Sequence, residues 1–148
     1  MLTTEQIAQA KRETIYRFPN SIRHEHDDCI RMAYEWLDAQ IKTKTVSPNL
    51  YEIKHKIERW CGRYISMNDV EVAATLHPLI KGKYPYFNIR SGLVRPSLLR
   101  LDGIEQAHAH RGTYSESPVH DKYKWQESDD PNIGLIRITT AYRPSLIP

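Results

Sequence analysis

Gly82, Pro85, Gly92 and Pro96 follow Pro78 at short intervals, and they restrict what the second half of this chain can build. Proline removes a backbone donor and glycine leaves an element without a side chain to pack, so neither suits a central strand. The strand-prone Tyr84, Tyr86, Phe87, Ile89 and Val94 can therefore form only short pieces, a loop followed by an irregular hairpin. After Ser97, SLLRLDGIEQAHAH predicts a helix interrupted at Gly103. Val119, Asp121, Tyr123 and Trp125 alternate with His120, Lys122 and Lys124, which predicts a strand. SDDPN then turns the chain into IGLIRITTAY, the best strand pattern in the sequence.

Before Pro78 the pattern is helical. Thr3-Thr4-Glu5-Gln6 has the spacing of a capping box and opens a first helix with Ile7, Ala10, Thr14 and Ile15 inward. A second helix is expected from about Glu25 to Lys42, with Ile30, Ala33, Leu37 and Ile41 on its apolar face and acids in its first turn. Ser47, Pro48 and Gly62 suit the cap, the first position and the stop of a third helix, with Leu50, Ile53, Ile57, Trp60 and Cys61 buried. Ser66 caps a fourth, short helix that ends before Pro78, with Val70, Ala73 and Leu76 inward. Helices first and strands later predict an α+β fold in one domain. Its parts are helical over 1–77, a basic aromatic loop or hairpin over 78–100, and mixed and β-rich over 101–148.

At 148 residues the chain can bury a core without staples. Two cysteines, Cys29 and Cys61, are too few for a disulfide framework, the N-terminus lacks the apolar run of a signal peptide, and no segment has the length of a membrane span. A reduced, cytoplasmic setting is expected. The net charge of +3 is concentrated in mid-chain, where residues 47–106 carry nine basic and six acidic side chains. No acid lies between Glu71 and Asp102, a window that holds Lys81, Lys83, Arg90, Arg95 and Arg100. Lys56, Arg59 and Arg63 make a second basic edge along the third helix.

Lysine and arginine neutralise phosphates and release counterions, while aromatic faces stack on unpaired bases. Those eight cations, with Tyr84, Tyr86 and Phe87, therefore predict a nucleic-acid contact, with DNA ahead of RNA. The competing expectation is that Tyr84-Pro85-Tyr86-Phe87 packs against the third helix and the charges are merely solvated. A capped helix following another helix and preceding a basic hairpin resembles, in part, a winged helix, in which the hairpin touches phosphate and a helix enters the major groove. The stretch HPLIKGKYP stands where that fold would need a further continuous helix. The expected function is a small regulatory or accessory nucleic-acid-binding protein of the type mobile elements encode. The alternative is a binding module or inhibitor that uses the same basic surface on an acidic protein.

His24, His26 and Asp27 are candidate metal ligands, and His108 with His110 form a second His-x-His pair. The His26-Asp27 dipeptide also occurs in phosphohydrolases of the HD type, but the further ligands of that class cannot be assigned, so a metal-dependent hydrolase stands as the outside alternative. Cys29 lies three residues after His26, the spacing of a thiolate–imidazolium pair, although both cysteines fall on or beside apolar stripes. There is no phosphate loop, dinucleotide fingerprint, Gly-x-Ser-x-Gly elbow or zinc-finger spacing, and no cofactor is expected.

Overall fold

In the computed structural model, residues 1–48 and 52–139 are described. Four helices come first: α1 (Thr4–Glu13), α2 (Asp27–Ala39), α3 (Ile53–Cys61) and α4 (Met67–Leu76). Two small sheets follow. β1 (Gly82–Lys83) pairs antiparallel with β2 (Tyr86–Phe87), while β3 (Val94–Arg95), β4 (Trp125–Glu127) and β5 (Leu135–Arg137) form a mixed sheet in that order. The fold is α+β.

Local signals set several boundaries. Thr3 and Gln6 form the reciprocal capping box, and Ser66 and Asp69 form another at the start of α4. Gly62, at φ 68°, stops α3 in the left-handed region that glycine enters without steric cost. Long-range contacts override the local pattern elsewhere. Helix α1 ends at Thr14, whose extended backbone breaks the helical period, so Ile15 is 77% exposed rather than inward. Helix α2 is shorter than the sequence suggests because the Glu25 N–H is held by Asp69 and residues 41–43 join the strand side. Arg90 N donates to Ile41 O, and Thr43 N donates to Asn88 O. Ser47 is not the cap of α3: its N–H donates to Phe87 O, and the helix starts at Ile53. Leu50 and residues beyond Thr139 lie outside the described residues. The expected helix after Ser97 is reduced to a 3-10 segment, Leu98–Leu101, and the alternation over 119–125 yields a strand only from Trp125.

The buried side chains form one connected cluster from Ile7 to Ile104, in which Trp36, Leu37, Ile57 and Trp60 are fully buried. Burying each large aliphatic or aromatic side chain contributes about 1.5–3 kcal/mol. Buried Gln40 ties the helices to the mixed sheet, since its side chain donates to Val94 O and accepts from Val94 N, like a neighbouring strand. The indole N–H of Trp60 donates to Pro96 O, so α3 is fastened to the same region. No helix among the described residues is long and apolar enough to cross a membrane.

Candidate nucleic-acid interface

The basic residues singled out by sequence do not behave alike. Arg59 donates to Asp121 at 2.7 Å, and Arg63 meets Glu25 at 3.3 Å and Gln106 at 3.1 Å. Arg95 grips Glu116 with Nε and Nη2 and reaches Gln126 with Nη1. Arg100 binds Glu127 through two nitrogens, at 2.6 and 2.7 Å, and also meets Glu35 and Asp38. Lys56 lies over the Tyr123 ring at 5.5 Å and donates to His120 O. A guanidinium in a bidentate carboxylate pair has little charge left for an incoming phosphate. Such pairs join distant segments and serve the fold.

Titration behaviour around Arg100 reflects this. Its bonds to Glu127 lead the effects holding it above its ordinary value, despite burial. Burial pushes Glu127 upward, but the Arg100 bond and the Ser97 N–H outweigh it and leave the carboxyl low. Asp38 is likewise pushed up by burial and brought below its ordinary value by His77 and Arg100. At Glu35 burial wins, and the carboxyl is raised.

Two of the three aromatics are also committed. Phe87 is 1% exposed, and Tyr84 packs edge-on against it with ring centroids 6.2 Å apart. Burial raises the Tyr84 hydroxyl, which lies near Glu58 and Lys54 of α3. Tyr86 is different: 46% exposed, with no ring or hydrogen-bond partner for its side chain among the described residues.

Lys81, Lys83 and Arg90 remain, exposed and without an ion pair to any described residue. Register sets one of them beside Tyr86. Lys83 stands directly across from Tyr86, and Gly82 across from Phe87. Successive side chains on a strand alternate sides. Phe87 points into the core, so Tyr86 and, across from it, Lys83 take the outer side of the pair. Alternation ends there, since Asn88 is buried like Phe87 and Ile89, and Lys81 and Arg90 are exposed just beyond the strands. Asn88 anchors this small sheet: its side chain accepts from Lys81 N and donates to Thr43 O and Leu79 O. Gly82, at φ 100°, is required because a Cβ there would lie 2.2 Å from Tyr86 O. Sequence reasoning passed over Asn88; its signal is a lone amide between two strand-forming apolar residues.

Beside the hairpin is a cleft of about 320 Å³ bounded by α1 and α4, whose wall carries Glu13 and Glu71 as well as Lys81 and Lys83. Helix α4 itself is largely covered. From Asn68 to Ala74 every residue is buried, and the stretch 17–25 lies over its start. Arg17 N donates to Glu71, Arg23 N to Asn68 and Glu25 N to Asp69, while His24 Nδ1 meets Asp69 at 2.9 Å. The order of helices and hairpin is the one expected, but α4 does not offer a face to a groove.

The remaining candidates have protein partners. His24 Nε2 meets the Tyr16 hydroxyl at 3.0 Å, His26 Nδ1 caps α2 by accepting from Asp28 N, and Asp27 pairs with Lys11 at 3.1 Å. His108 Nδ1 accepts from Arg111 and His110 Nδ1 from Tyr64 N. Among the described residues no three His, Cys, Asp or Glu side chains are grouped to hold a metal ion. Cys29 and Cys61 are buried free thiols, each pushed up to about 12 chiefly by burial, so the thiolate is disfavoured. Comparison with protein-family models, curated proteins and solved structures gives no match.

Proposed function

We propose that this chain is a small nucleic-acid-binding accessory or regulatory protein that touches the phosphate backbone with the outer face of its β1–β2 hairpin. One observation carries the proposal: Lys81, Lys83 and Arg90, in and beside the hairpin, are exposed and carry no ion pair to any described residue, while Arg59, Arg63, Arg95 and Arg100 are neutralised internally. Three cations without a groove-entering helix suit backbone contact that ignores base sequence. The expected dissociation constant is in the non-specific range, about 10⁻⁴ to 10⁻⁶ M. Two free cysteines suit a reduced, cytoplasmic setting.

The test is fluorescence anisotropy of labelled oligonucleotides at low salt with the K81E/K83E double variant. Affinity should fall for all sequences alike, with the melting temperature unchanged because both side chains are exposed. Absence of oligonucleotide binding would overturn the proposal. A protein partner captured through the same lysines after nuclease treatment would replace it with an acidic protein surface.

A further inference from the structure

Tyr86 gives the hairpin a feature that plain phosphate binding does not require. Its ring is half exposed, lies directly across from Lys83 and makes no ring contact with any described residue. At about 3.3 Å per strand residue, Lys81 stands roughly 7 Å from Lys83, on the side away from the turn. Lys83 thus faces the ring at the turn end of the hairpin, and Lys81 follows it away from the turn, a spacing comparable to successive phosphates of one extended strand. In a duplex the base faces are stacked against one another, and only groove edges are available to a protein. The helix expected to reach such edges, α4, is covered by residues 17–25.

We infer that this face takes single-stranded in preference to double-stranded nucleic acid, with one unpaired base stacked on Tyr86 and the phosphates that follow it on Lys83 and Lys81, Arg90 being a further exposed cation beyond β2. The inference rests on the nucleic-acid reading above and adds to it the state of the strand. Stacking is sequence-tolerant because every base has a π-face, so strand state rather than sequence is selected. Tyr84 and Phe87 contribute nothing directly, being committed to the interior.

The experiment compares a labelled oligothymidine of fifteen residues with a duplex of equal length by anisotropy, using the full chain and its Y86A and Y86F variants. The full chain should bind the single strand more tightly. Y86A should weaken that complex by about 5- to 150-fold, the span of one aromatic–base stack, and change duplex affinity little. Y86F should bind like the parent, because the ring and not the hydroxyl acts. Equal affinity for both strand states, or equal loss on both with Y86A, overturns the inference while leaving phosphate contact intact. Failure of the full chain to bind either oligonucleotide overturns both.

Discussion

Replacing Gly62 by alanine tests how the end of α3 is held. Gly62 sits at φ 68°, and a Cβ there would lie 2.6 Å from Arg111 Nε and 2.8 Å from its Cδ. The Arg111 guanidinium donates to Arg59 O and Trp60 O, the terminal carbonyls of α3, which complements the negative end of the helix dipole. Alanine in the left-handed region costs about 1–2 kcal/mol. Displacing Arg111 forfeits two charge-assisted bonds, about 3 kcal/mol together at the low end of their range. G62A should therefore lose about 4–5 kcal/mol in the parent. R111A has already lost those bonds, so adding G62A to it should cost only about 1–2 kcal/mol, the backbone part. Urea unfolding followed by the fluorescence of buried Trp36 and Trp60 reads all four proteins. Equal cost of G62A with and without Arg111 would refute the reasoning, because the collision would then have no energetic consequence.

Two further outcomes follow from the ion pairs and the core. Asp38 and Glu127 are both depressed, so they contribute stability that is complete above pH 4.5 and is lost as pH falls through their folded values, which lie below 3.8 and 4.5 respectively. Burial-raised Glu35 works in the opposite direction. R100A should flatten the acid-side decline in melting temperature measured between pH 5 and about 3; an unchanged slope would show that Arg100 does not set those carboxyls. Cys29 and Cys61, buried and held as thiols, should resist a disulfide reagent at pH 7 in the folded protein and react fully in denaturant. Rapid native labelling of either would contradict its placement.

Signals contained in a few adjacent residues were legible before the structure. The Thr3 and Ser66 caps and the Gly62 stop depend on neighbours within one helical turn, and all three are used as the sequence suggests. Ser47-Pro48 carries an equally good helix-start signal, yet the Ser47 N–H is taken by Phe87, forty residues away in sequence, so tertiary pairing wins. The charge window failed for the same reason. A stretch without acids is uncompensated only if none arrives from elsewhere. Glu116 reaches Arg95 across 21 positions and Glu127 reaches Arg100 across 27, while Glu35 reaches it across 65. Lys81, Lys83 and Arg90 escape because they are exposed in and beside the short hairpin and no carboxylate among the described residues reaches them.

The salt dependence of single-strand affinity tests the hairpin account most directly. Each neutralised phosphate contributes about 0.7 to the slope of log affinity against log salt on a single strand. Contact through Lys81, Lys83 and Arg90 predicts a slope of about −2, shrinking to about −0.7 for K81E/K83E. Recruitment of all eight cations in the sequence pattern would give about −6. A slope near that value, or one unchanged by K81E/K83E, would contradict the account.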